Sequence, residues 1–149
     1  MRASGFGLLL ALIAATPALA DPPCKLGWNL DSERSLLQGR RPRVDSGTLF
    51  DAVPGTAITL NLKPGAVLPH ASAKPADPAK SAGFVTVRAP RAGDYYVSLS
   101  GEAWIDVVQG NALVASTAHT GDPDCPGLRK SVRFTLSASP LTVEISNAP

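Results

Sequence analysis

Two cysteines, Cys24 and Cys125, are the only ones in the chain and stand 101 positions apart. If they pair, the bridge closes nearly the whole folded length and pins the first residues to a loop near the end. In the loop-entropy picture a closure of that size is worth about 4.7 kcal/mol. Zinc is the rival use of cysteine, but a structural zinc site takes four ligands with short local spacings such as C-x2-C, and neither cysteine has such a neighbour. A structural disulfide is therefore expected, and it requires an oxidising compartment.

The first twenty residues point to one. Arg2 supplies a positive charge, Gly5 to Ala15 form a short apolar run, and Ala18-Leu19-Ala20 presents small residues where a signal peptidase reads. Residues 1–20 thus read as a signal peptide, with a mature chain from Asp21 and a periplasmic or secreted destination. The apolar run is shorter than the roughly 20 residues that span a bilayer, so no membrane span is expected after cleavage. An uncleaved anchor is the alternative. A lipoprotein would place its cysteine directly after the small residues, whereas Asp21, Pro22 and Pro23 intervene before Cys24.

Residues 21–149 have the size of one domain with room for a real core. The formal charge of +2 includes Arg2, so the mature chain is close to neutral. Nucleic-acid binding calls for a clustered basic stripe with interleaved aromatics, and none is present. Arg40-Arg41-Pro42-Arg43 reads as a solvated connector.

One helix is expected after Trp28. Asp31 is placed to cap it, Glu33 suits its positive end, Leu36 and Leu37 give an apolar edge, and Gly39 stops it. From Thr48 the apolar period becomes two. Strands are expected at Thr56 to Leu62, Gly83 to Ala89, Asp94 to Ser100, Ala103 to Gln109, Ala112 to Thr117, Ser131 to Ser137 and Leu141 to Ser146, with weaker ones at Thr48 to Val53 and Ala66 to Pro69. Gly110-Asn111 reads as a two-residue hairpin turn. Between His70 and Ala82 the composition turns to Ala, Lys, Pro, Ser and Asp, which predicts a mobile loop. Short strands with no helices between them argue for an all-β antiparallel sandwich.

Chemistry has few places to reside. Only His70 and His119 carry imidazoles, no G-x-S-x-G turn presents a nucleophilic serine, and no ligand constellation suggests a metal or other cofactor. Glu102, Asp106, Asp122, Asp124 and Glu144 offer carboxyls, as any β-rich domain does. In Trp104-Ile105-Asp106-Val107-Val108 the alternation puts Trp104 and Asp106 on one face. That is either a stacking platform with a polar hook for a ring-bearing ligand or a tryptophan filling the sandwich edge. The loop from Ala118 to Lys130 gathers His119, Asp122, Asp124, Arg129 and Lys130 around Cys125. Held by the bridge, it is either a recognition surface or a cluster whose members satisfy one another.

The stretches Gly93-Asp94-Tyr95-Tyr96-Val97-Ser98-Leu99-Ser100, Trp104 to Val108, His119-Thr120-Gly121 and Cys125 to Phe134, with Cys24, Trp28 and Glu33-Arg34, resemble a family of short exported proteobacterial proteins. Its members are often labelled homogentisate 1,2-dioxygenase. That label implies an iron-dependent oxygenase with a cupin-like fold that holds ferrous iron through two histidines and a glutamate. Here no H-x-H followed by a glutamate presents two imidazoles on one strand face, and His70, His119 and Glu102 would have to serve instead. Ala92 to Val97 is also similar to the small jelly-roll modules that follow secreted peptidases, which implies a jelly-roll-like sandwich acting as a non-catalytic accessory. The expected function is an exported binding or envelope-associated protein of unidentified ligand, with the dioxygenase as the alternative.

Overall fold

The computed structural model describes residues 24–51, 55–88 and 91–149. The signal-peptide expectation for residues 1–20 lies outside the described residues. One helix, α1 (Asp31–Gln38), precedes eleven strands: β1 (Arg43–Asp45), β2 (Leu49–Asp51), β3 (Thr59–Asn61), β4 (Lys63–Pro64), β5 (Ser81–Arg88), β6 (Gly93–Leu99), β7 (Trp104–Gln109), β8 (Ala112–Leu113), β9 (Ser116–Gly121), β10 (Lys130–Leu136) and β11 (Leu141–Ala148). The protein is an all-β sandwich with one short helix. No helix among the described residues is long and apolar enough to cross a membrane.

The larger sheet runs β2-β5-β11-β7-β8, with β4 also paired to β5, and the smaller runs β6-β10-β9. The chain passes from one sheet to the other between β5 and β6, β6 and β7, β8 and β9, and β10 and β11. Period-two alternation then buries one face of each long strand. Val87, Ile105, Val107, Leu141 and Ile145 from the larger sheet meet Val132, Phe134 and Leu136 from the smaller. Tyr95, Val97 and Leu99 pack at their border. The Tyr95 hydroxyl donates to the Arg91 carbonyl at 2.8 Å, a corner bond familiar in Greek-key sandwiches. Gly110 and Asn111 both adopt positive φ, 56° and 61°, which turns β7 into β8 as expected.

Several boundaries differ from the sequence reading. The long strands are antiparallel, but β2 pairs β5 in parallel and β1 pairs β3 in parallel. Arg43, expected in a solvated connector, opens β1, whose partner β3 arrives after a crossover long enough for a parallel pair. Ala66 to Pro69 forms no strand, and pairing falls instead at Lys63 and Pro64. The run from Ala112 to Thr117 breaks at Val114 and Ala115, so β8 stays with the larger sheet while β9 joins the smaller.

Each outer face carries a cover. Over the smaller sheet lies the N-terminal segment, tied by the Cys24–Cys125 disulfide. There the Gly27 N–H donates to Thr120 Oγ1 at 2.8 Å and Trp28 packs on Tyr96 with ring centroids 5.8 Å apart. Leu30, Cys125 and Leu128 form a second apolar cluster with Leu26, Trp28 and Leu37, and Leu128 is wholly buried. Leu36, the other half of the expected helical edge, is 42% exposed. Asp31 is not the cap: Leu30 holds that position without a side-chain bond, and Asn29 Oδ1 accepts the Asp31 N–H at 2.9 Å.

Over the larger sheet lies residues 65–80, here called the strap. Its ends are clamped where Lys63 pairs with Ala82 and Gly65 N–H donates to the Lys80 carbonyl, the closed neck of an Ω-type loop. The sequence expects mobility here because the segment is poor in apolar residues. Its anchors are polar instead.

Candidate functional site

On β7 and β11 the residues facing away from the core are Trp104, Asp106 and Val108 on one strand and Thr142, Glu144 and Ser146 on the other. Register sets Asp106 directly opposite Glu144 and Trp104 opposite Ser146. Two carboxyls in that position repel one another, and both are buried, Glu144 almost completely. Burying a carboxylate is costly unless donors replace its lost water.

The strap brings those donors. Glu144 Oε1 accepts the His70 backbone N–H at 3.0 Å and meets His70 Nδ1 at 2.9 Å. Asp106 Oδ2 accepts the Ser72 hydroxyl at 2.6 Å and the Ala73 N–H at 3.2 Å. Asn147, the last polar residue of β11, accepts the Asp77 N–H at 2.8 Å and donates to the Pro75 carbonyl at 3.2 Å. With Glu144 ionised, His70 Nδ1 is the donor. His70 and Ser72 help line a cavity of about 360 Å³ together with Leu68, Pro75 and Asn147. Glu144 Oε2 is buried with no hydrogen-bond partner.

At the other end of this face stands Trp104, half-buried, with its indole N–H buried and unpaired. Lys74, the strap residue after Ala73, places its ammonium 5.7 Å from the ring centroid. Lys130, at the start of β10, places its own 5.2 Å from the same centroid and donates to the Ala103 carbonyl at 2.8 Å. Burial, then the charges of Arg129 and Lys74, lower the Lys130 ammonium below its ordinary value, with Glu102 pulling the other way.

The residues singled out in the sequence divide into three places. Trp104 and Lys130 come together, joined by Lys74. Asp106 lies beneath the strap and holds Ser72, so it is no free hook beside the indole. Asp122 is also buried, and both of its oxygens hold backbone: Lys25 N–H at 2.7 Å and Asp124 N–H at 2.9 Å. Those two bonds, chiefly Lys25, hold its carboxyl below the usual value, with burial opposing and the Lys25 and Arg129 charges assisting. Asp124 is exposed in the same turn. Arg129 donates its N–H to the Leu99 carbonyl at 2.7 Å, which fixes its backbone, while its guanidinium makes no hydrogen bond to a described residue. His119 is exposed on edge strand β9, opposite Val132.

The sequence reading gives Ser72 and Lys74 no role, meets His70 only as a would-be iron ligand, and counts Glu144 among many carboxyls. The available signal was an acid at the centre of each of two strands otherwise rich in Val and Ile. Only register shows that the two acids face each other. No protein-family model, curated protein or solved structure matches this chain.

Proposed function

We propose that this is an exported, periplasmic or secreted, non-catalytic binding protein on a jelly-roll-like sandwich, and that it meets its small-molecule or envelope ligand on the strap side of the larger sheet, around Trp104. The observation that carries this reading is the use made of the buried acids. Asp106, Glu144 and Asp122 each accept backbone or strap donors, so they hold chain in place. What this side offers outward is a half-buried indole flanked by two ammoniums, on backbone held at both ends. A ligand meeting so constrained a surface loses little loop entropy.

The oxygenase implied by the family label finds no matching donor set. His70 is committed through Nδ1 to Glu144 in the strap, and His119 lies on an edge strand of the other sheet. Among the described residues no group of three His, Cys, Asp or Glu side chains is placed to hold a metal.

The test is a titration of the isotope-labelled exported protein with the small-molecule fraction of periplasmic extract. Resonance shifts should centre on the Trp104 indole and leave Trp28 unmoved. Homogentisate ring cleavage by iron-loaded protein, lost in His70→Ala, would overturn the binding reading.

A further inference from the structure

We infer that the Trp104 surface is an anion site, built by Lys74 and Lys130 for a phosphate-type anion. The inference rests on the binding reading above and supplies the class of ligand.

Two ammoniums from distant parts of the chain share one indole, Lys74 at 5.7 Å and Lys130 at 5.2 Å from its centroid. A ring can hold one cation by its quadrupole, but it does not neutralise two, and like charges so placed repel. No carboxylate forms an ion pair with Lys74 or Lys130 among the described residues, where the ion pairs are His70 with Glu144 and Arg88 with Asp51. Burial first, then the charges of Arg129 and Lys74, disfavour the Lys130 ammonium in the fold. Two ammoniums therefore meet at one ring with no carboxylate paired to either among the described residues.

The cations are also held rather than loose. Lys130 is fixed by its bond to the Ala103 carbonyl. Lys74 follows Ala73, whose N–H is bound by Asp106, and its own N–H donates to Ser72 Oγ at 3.3 Å. Asp106 therefore acts as a positioning residue: it sets the strap so that Lys74 reaches Trp104. Since the ring already carries ammoniums, the ligand is read by charge more than by stacking. Lysines serve as point charges for phosphate.

A free phosphate compound and a lipid headgroup share this chemistry, and one experiment separates them. The labelled exported protein is titrated, at constant ionic strength, with pyrophosphate, with phosphatidylcholine vesicles with and without phosphatidylglycerol, and with maltotriose as an uncharged control. Pyrophosphate should shift the Trp104 indole resonance saturably and leave Trp28 in place. Lys74→Gln should weaken the response on the order of tenfold, the loss expected for one charged contact, and Lys74→Arg should restore most of it. Lys130→Gln, at a second position, should weaken it comparably while Trp28 reports an intact fold. A response to phosphatidylglycerol vesicles alone would support the phosphate class and assign it to a headgroup. A response to maltotriose alone would overturn the anion site while leaving the binding reading standing. Silence to every probe would overturn the anion site, and silence to the periplasmic fraction as well would overturn both.

Discussion

The two outer faces of this sandwich are each covered, and by opposite means. On the smaller sheet the N-terminal segment is held covalently through Cys24–Cys125 and packs apolar side chains, Leu26, Leu30 and Leu37 against Leu128. On the larger sheet the strap is held without a covalent bond or an apolar cluster of its own, by His70, Ser72 and Ala73 on two buried acids. Apolar burial is non-directional and tolerates exchange of one aliphatic residue for another. Hydrogen bonds to buried carboxylates fix position closely, and each fails steeply if one partner is lost. The contrast suits a division of labour in which one cover stabilises and the other positions Lys74 and Trp104.

The largest effect should follow removal of the covalent tie. Cys24→Ser with Cys125→Ser should cost about 4 kcal/mol in chemical denaturation, because the closed loop spans nearly the whole described chain. A loss below about 1 kcal/mol would mean that the apolar cluster alone holds that cover.

Next comes the strap. Glu144→Ala leaves His70 with two unpaired donors over a buried hole and should cost about 3 kcal/mol, whereas Glu144→Gln, which keeps an acceptor at Oε1, should cost about 1 kcal/mol. Equal losses in both would show that volume, not hydrogen bonding, is what Glu144 contributes. Asp106→Asn should cost about 1 kcal/mol globally, by weakening the Ser72 and Ala73 bonds, yet should open the strap to protease ahead of the N-terminal segment. Cleavage in the reverse order would break the assignment of Asp106 to the strap.

The smallest effects are in pH. The Asp122 carboxyl titrates below its ordinary value of 3.8, so its contribution is complete above that value and is lost as pH falls through the lowered one. Asp122→Asn should therefore flatten the acid limb of the stability curve below about pH 4. Lys130 runs the other way: its ammonium is disfavoured in the fold, so stability should rise as pH climbs through its lowered value toward 10.5, and Lys130→Met should remove that rise. An unchanged acid or alkaline limb in the respective variant would refute each assignment.

How much of this was legible follows from the same contrast. Alternation in Trp104 to Gln109, Ser131 to Ser137 and Leu141 to Ser146 located the central strands, because burying one face leaves a period-two pattern in the residues themselves. The disulfide was legible because two cysteines allow one pairing. Pairing direction at β1 and β2 was not, since three-residue strands carry too few residues to show a period. The strap's anchoring was not legible for a physical reason: its composition reports only the segment, while its anchors, Asp106 and Glu144, lie far along the chain and meet it through register. Trp104 and Lys130 stood out as candidates, but Lys74, hidden in a segment that looked solvated, completes their cluster.

Amide hydrogen exchange tests the independence of the two covers most directly. The reporters are Lys25 and Gly27 N–H on one side and His70, Ala73 and Asp77 N–H on the other. Reducing the disulfide should release the first pair and leave the strap amides protected, while Glu144→Ala should release the strap amides and leave Lys25 and Gly27 protected. Simultaneous loss of protection at both sets under either change would contradict the account.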